Sequence, residues 1–338
     1  MNMKSVDYIR KLASEMKPVM AYEKGMDVLS WQKTAKEKLT ELLGLPLGAC
    51  HAHFRITNEA VCDGYTRYDF TFQSEPGYYV PCSLLAPDNA DRPLPVAICL
   101  QGHSTGMHIS LGETKYPKDQ ELIDGGRDFA IRAVKEGFYA IAMEQRYMGI
   151  CGSSETGAPA CIGSVENAAM PSLLLGRSAI GERVWDVMRL IDVIEEELTP
   201  YIDKEKIVLM GNSGGGTVTF YASCMDERIA LSMPSCAVCT YDDSIIAMNH
   251  CPCNYIPGIR RYFNMGDLGV LIAPRPFVLV CGEEDPIFPL HGVKKSFETI
   301  KSAYESIGKS ENCHLVIGNG GHRFYPDDAW PVVKELLK

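Results

Sequence analysis

The sequence predicts an α/β fold: a mostly parallel central sheet with helices on both faces, preceded by an N-terminal helical arm. Three observations lead there. From Pro95 onward, short apolar runs alternate with loops and helical stretches, a rhythm that right-handed crossovers turn into a parallel sheet. Runs such as Val96-Ala97-Ile98-Cys99-Leu100 are apolar throughout, as strands covered on both faces are. One of them, Ile207-Val208-Leu209-Met210, runs straight into the glycine-rich turn Gly211-Asn212-Ser213-Gly214-Gly215.

The elements follow in chain order. Ile9, Leu12, Met16 and Val19, then Met26, Leu29, Trp31, Leu39, Leu42 and Leu43, recur at helical spacing. They predict a helical arm over residues 1–50, closed by Gly44-Leu45-Pro46. A single α/β unit is expected over 51–338. It opens with two or three antiparallel strands within residues 51–86, where Thr66–Phe72 alternates and Tyr78–Leu85 follows the turn Glu75-Pro76-Gly77. The strand Val96–Leu100, a helix near Phe129–Glu136, the strand Tyr139–Met143 and a long helix over Gly181–Glu197 come next. In that helix Val184, Val187, Met188, Ile191 and Ile194 should face the sheet. Asp186, Arg189 and Asp192, three apart, read as a solvated ladder of ion pairs, with a structural brace as the rival. Two later runs, Pro276–Gly282 and His314–Gly318, complete the sheet. Residues 104–126, 147–180 and 240–272 lack clear periodicity and should wall a pocket, since long connections inside a compact unit are usually functional.

Composition narrows the class. The chain has 338 residues, 46% hydrophobic and 22% charged, with a net charge of −10. That is an ordinary globular composition with no basic stripe for nucleic acid or anionic membranes. No run approaches the roughly 18 apolar residues of a membrane span, and the first residues lack a signal-peptide core, so a cytoplasmic location is expected. Thirteen cysteines then read mainly as buried small hydrophobes. Cys236, Cys239, Cys251 and Cys253, with His250 among them, offer the donor types of a zinc set. Their spacing is unlike that of common fingers, and packed thiols are the expectation.

The chemistry-bearing residues lie at strand ends. Gly-x-Ser-x-Gly after a strand is the pattern of a nucleophile elbow, which holds the serine on a tight strand-to-helix turn. The run Pro276–Gly282 ends in Glu283-Glu284-Asp285-Pro286, and His314–Gly318 ends in Asn319-Gly320-Gly321-His322. A carboxylate and an imidazole therefore follow Ser213 in the order serine, acid, histidine, each just past a strand's carboxyl end, where open α/β sheets bind ligands. Asp285 is preferred over Glu283 and Glu284 because Pro286 backs it. His322 is preferred over His291, at a helix start, and His314, at the wrong end of its strand. The backbone N–H groups of Gly214 and of His103, after Gly102, are the candidate oxyanion donors.

Taken together, the chain resembles the α/β-hydrolase superfamily, and within it bacterial acetylxylan-esterase-like and dienelactone-hydrolase-like carboxylesterases. The resemblance covers roughly residues 50 to 338. It rests on Phe72-Gln73-Ser74-Glu75-Pro76-Gly77, Leu100-Gln101-Gly102-His103, Gly181-Glu182-Arg183-Val184-Trp185-Asp186, Gly211-Asn212-Ser213-Gly214-Gly215, Ala273-Pro274-Arg275-Pro276 and Gly282-Glu283-Glu284-Asp285-Pro286-Ile287-Phe288-Pro289. Dienelactone hydrolases proper use a cysteine nucleophile, so Ser213 moves the chain toward the esterases. The resemblance implies hydrolysis of short-chain, acetyl-type esters, acetylated saccharides among them, through an acyl-enzyme on Ser213, Asp285 and His322, with no metal or organic cofactor. A homo-oligomer is compatible with it. A serine peptidase of the prolyl type and a catalytically silent binding module are the alternatives. The first usually needs a propeller domain, for which about 50 leading residues are too few, and the second usually lacks a triad member.

Overall fold

The computed structural model describes residues 4–88, 90, 93–152, 162–198 and 201–338. Nine strands form one sheet in the order β1-β2-β3-β5-β4-β6-β7-β8-β9. β1 (Arg55–Val61), β2 (Tyr65–Glu75) and β3 (Tyr78–Pro87) make an antiparallel meander, and β3 lies antiparallel to β5 (Tyr139–Met143). β4 (Leu94–Leu100), β5, β6 (Ile202–Asn212), β7 (Ile229–Ser235), β8 (Phe277–Gly282) and β9 (Cys313–Gly318) run parallel. The alternation of strands and helices therefore does what its physics requires. β7 was not anticipated: Ser232, Pro234 and Ser235 break its apolar run, yet it is buried between β6 and β8.

The pleat sorts each parallel strand's side chains onto two faces. Val96, Ile98, Leu100, Ile207, Leu209, Phe277 and Leu279 enter the larger core. Ala97, Cys99, Val208, Met210, Val278 and Val280 enter the smaller one. On the larger side pack α2 (Val28–Leu43), α6 (Ala179–Val193), α7 (Gly214–Met225), the short α8 (Met265–Gly269) and α9 (Leu290–Ser306). On the smaller side pack α4 (Phe129–Lys135) and α10 (Pro326–Leu336), through Phe129, Ala133, Trp330 and Val333. All five α6-region residues expected to face the sheet do so.

The N-terminal segment begins with α1 (Ser5–Glu15), which buries only Ala13 and leaves Ile9 and Leu12 in solvent, as Val19 is beyond it. α2 is the anchored part. Asp27 caps its start by accepting the Ser30 N–H at 2.8 Å, and Gly44 in the left-handed region ends it. The connections expected to be structureless hold α3 (Asp119–Leu122), α5 (Ile162–Leu174) and α8. The ion-pair ladder also needs correcting. Arg189 does pair with Asp192, but Asp186 is wholly buried and takes a two-pronged bond from Arg146, at 2.7 and 2.8 Å. Arg146 also pairs with Glu75 at 2.6 Å, so Asp186 braces the segment after β5 against the end of β2.

Candidate active site

The turn after β6 carries Ser213 at φ 56° and ψ −122°, a conformation that costs a non-glycine residue about 1–3 kcal/mol. Its surroundings hold it there. The Ser213 N–H donates to the Ser235 carbonyl at 2.9 Å, tying the elbow to the end of β7. A Cβ on Gly215 would lie 2.1 Å from the Leu100 carbonyl oxygen, so only glycine lets α7 cross this close to β4. Among the described residues the Ser213 hydroxyl has no hydrogen-bond partner. Catalytic hydrogen bonds are often long in free enzymes and tighten on binding.

The register of the parallel strands brings the other pieces to the same rim. Leu100 pairs with Gly211, Asn212 with Ser235, Ser235 with Val280, and Gly282 with Gly318. Past those ends, His322 Nδ1 lies 2.8 Å from Asp285 Oδ2. Asp285 Oδ1 accepts the backbone N–H groups of Ile287 and Phe288, at 2.8 and 3.2 Å. Burial raises the Asp285 carboxyl, but the bond and charge of His322 and those two N–H groups outweigh it, leaving it below the ordinary value. Phe288 stacks on the imidazole, with ring centres 5.9 Å apart. The competing residues fall elsewhere. Glu283 and Glu284 point to solvent while their N–H groups bond Gly318 and Gly320; His291 pairs with Asp243 at 3.3 Å; His314 bonds the Glu311 carbonyl at 2.7 Å.

The loop after β4 packs directly on the elbow. A Cβ on Gly102 would meet the Asn212 carbonyl oxygen at 2.7 Å and the Ser213 Cβ at 3.0 Å, and one on Gly214 would meet the His103 ring at 3.0 Å. Gly214 opens α7, so its N–H has no acceptor within the helix. The His103 N–H has no acceptor among the described residues. Two buried acids shape this loop, neither visible in the sequence. Glu144, just past β5, accepts the Met107 and Ile150 N–H groups at 3.2 and 3.4 Å, and burial pushes its carboxyl up to about 7. Asp119 accepts from Thr105 Oγ1 at 2.6 Å and from the Lys115 and Tyr116 N–H groups, and pairs with His108 at 2.8 Å. Burial raises Asp119, but those partners overcome it and hold it down at about 2.

The four cysteines of the sequence pattern do not form one cluster. Cys236 lies under the acid–base pair, its thiol donating to the Arg323 carbonyl at 3.2 Å. Cys239 packs beneath α9, 3.7 Å from the Pro289 carbonyl oxygen. Cys251 and Cys253 sit together, with Cys253 Sγ 3.2 Å from His103 Nε2. Bulky residues of the long connections, which were expected to wall a pocket, also separate. Met148 reaches the elbow, its Cε 3.4 Å from where a Gly214 Cβ would stand. Tyr241 instead bonds Tyr221 in the core, and Tyr262 lies tilted beside Phe263 with Lys38 of α2 over its ring. Two broad surface hollows, of about 560 and 680 Å³, are lined by neither Ser213, Asp285 nor His322.

A strained serine on a strand-to-helix turn and a carboxylate-held imidazole at one sheet rim are the groups that acyl transfer uses. Comparison with known proteins agrees with the architecture. Over 246 residues the chain is 24% identical to "Putative hydrolase YtaP" of Bacillus subtilis (strain 168), covering 72% of this chain and 77% of that one. Its fold matches a putative acetyl xylan esterase from Bacteroides fragilis NCTC 9343 with a TM-score of 0.77, at 19% identity over 94% of this chain and 83% of that chain. It matches a glucuronoyl esterase from Solibacter usitatus with a TM-score of 0.70, at 15% identity over 95% and 98% of the two chains. Among the described residues no helix is long and apolar enough to cross a membrane. Residues 2–317 match the model of the Abhydrolase family, and the chain belongs to that family, with the α/β-hydrolase fold.

Proposed function

We propose that this protein is a serine carboxylic-ester hydrolase acting on short-chain, acetyl-type esters, with acetylated saccharides as the natural substrate class. The observation that carries the proposal is the Asp285–His322 pair, 2.8 Å long, at the rim that also presents the strained Ser213. In this mechanism His322 Nε2 takes the Ser213 proton as Oγ attacks the ester carbonyl. Asp285, on Nδ1, fixes the tautomer and stabilises the imidazolium. The N–H groups of Gly214 and His103 receive the developing oxyanion. Collapse expels the alcohol, protonated by His322, and leaves an acyl-serine. Water activated by the same imidazole then releases the acid. The sequence of steps asks for no metal at the reacting atoms.

Likeness in fold to both acetyl xylan and glucuronoyl esterases supports a carbohydrate ester without choosing its acyl side. Met148 over the oxyanion loop and Phe288 against the base support a small acyl group. The test is Ser213→Ala beside the parent enzyme on p-nitrophenyl acetate, acetylated xylo-oligosaccharides and a glucuronate ester. A fluorophosphonate probe reports the nucleophile independently. The variant is expected to lose labelling and on the order of a millionfold in kcat. Retained turnover would place the nucleophile elsewhere. Turnover of the glucuronate ester alone would move the substrate class.

A further inference from the structure

Cys251, Cys253 and His103 come from two distant stretches of chain, yet meet beside the oxyanion loop. Cys251 Sγ and Cys253 Sγ are 3.2 Å apart, and Cys253 Sγ is 3.2 Å from His103 Nε2. All three donor atoms lie within 4.8 Å of one another, and both cysteines are buried. We propose that these three side chains bind a zinc-class divalent ion that fixes His103, and with it the oxyanion loop, against the loop 251–254.

Donor chemistry and shape both favour it. Two thiolates and one imidazole are a set that zinc accepts, with the fourth position left to water. Zinc–sulfur bonds of about 2.3 Å in a tetrahedron place two sulfurs roughly 3.8 Å apart, so side-chain rotation of about half an ångström brings the pair into bonding range. The neutral complex of a dication and two thiolates also suits its surroundings. Arg183 is wholly buried, donates through Nε and Nη2 to the Arg146 carbonyl, and has no partner for Nη1 among the described residues. Its helix, α6, packs against the turn 252–254, so a buried cation stands near the thiolates that the ion would bind.

The surrounding groups hold the ligands in place. Pro252 between the two cysteines begins a tight turn. Asn254 reaches back to the Cys251 carbonyl at 3.4 Å and accepts from Thr217 of α7 at 3.3 Å. Polar support of this kind commonly orients metal ligands. Cys236 and Cys239, which share the sequence pattern, stand apart from the set.

The test is independent of which ester is cleaved. Reduced protein is equilibrated with zinc, dialysed, and assayed for bound metal, then titrated with Co²⁺ in place of zinc. One ion per chain is expected, with thiolate-to-cobalt charge-transfer bands and tetrahedral visible bands. Cys251→Ser and Cys253→Ser should each lower affinity at least tenfold, whereas Cys236→Ser and Cys239→Ser retain one ion. Circular dichroism checks that each variant is folded, and the wild-type cobalt spectrum decides the matter where one is not. Substoichiometric metal in the reduced wild-type protein, cobalt bound without thiolate bands, or metal retained in the Cys251→Ser/Cys253→Ser double variant would overturn the site. Failure here leaves the Ser213 experiment untouched.

Discussion

Asp285 is buried and bonded to His322, whereas the adjacent Glu283 and Glu284 face solvent. Asp285→Asn should therefore lower kcat roughly ten-thousandfold by disturbing the imidazole tautomer, while Glu283→Gln and Glu284→Gln leave it within a fewfold. Steady-state kinetics on p-nitrophenyl acetate checks all three. The two buried acids under the loop after β4 predict pH effects of opposite sign. Asp119 lies at about 2 in the folded chain against an ordinary 3.8. Its contribution, about 2 kcal/mol, is complete above the ordinary value and is lost as pH falls through about 2. Asp119→Asn should be less stable than the parent by about that amount at pH 7, with the gap narrowing below pH 3.8. Glu144 is raised from 4.5 to about 7, so its contribution is complete below 4.5 and is lost as pH rises through 7. Glu144→Gln should gain on the parent by up to about 3 kcal/mol at pH 8 and by little at pH 4. Urea denaturation from about pH 2 to pH 8 measures both.

Among elements, α7 runs from the elbow and is fixed at its far end by a side chain from the segment before β8. Arg275 donates Nη1 to the Asp226 and Ile229 carbonyls, at 3.0 and 2.7 Å, and Nη2 to the Ser223 carbonyl at 2.6 Å. A guanidinium at a helix C-terminus satisfies orphan carbonyls and complements the dipole. Lysine cannot reproduce that fork. Arg275→Lys should destabilise the fold by about 1–3 kcal/mol while leaving KM near the parent value, as thermal unfolding and kinetics would register. The resemblance drew attention to Ala273-Pro274-Arg275-Pro276 without a mechanism, and the capping of α7 supplies one. The ladder on α6 shows the opposite limit. Spacing of three places Asp186, Arg189 and Asp192 on neighbouring helical positions, but a chain cannot announce from its own helix that Arg146 arrives 40 residues away in sequence.

At the scale of the molecule, the sheet register sets the site and the loops close it. Met148 and Phe288 crowd the reacting centre, so kcat/KM should be highest for acetyl to butyryl esters and fall steeply by octanoyl. Each methylene in a fitting pocket contributes about 0.8 kcal/mol, whereas an overfilled one costs more. A p-nitrophenyl ester series reads this directly, and a rate still climbing at octanoyl would contradict it. The alternation of apolar runs and helices, the glycine-rich turn, and the order of Ser213, Asp285 and His322 were all legible in the sequence. Strand periodicity, turn chemistry and chain order are local properties, written where they act. Tertiary structure alone decided that Cys251 and Cys253 meet His103 while Cys236 and Cys239 do not, that Asp119 and Glu144 shape the loop after β4, and that β7 completes the sheet despite Pro234. Cys253 and His103 are 150 residues apart and the partners of Asp119 lie along one irregular loop, and no local period encodes which buried polar group will find which partner.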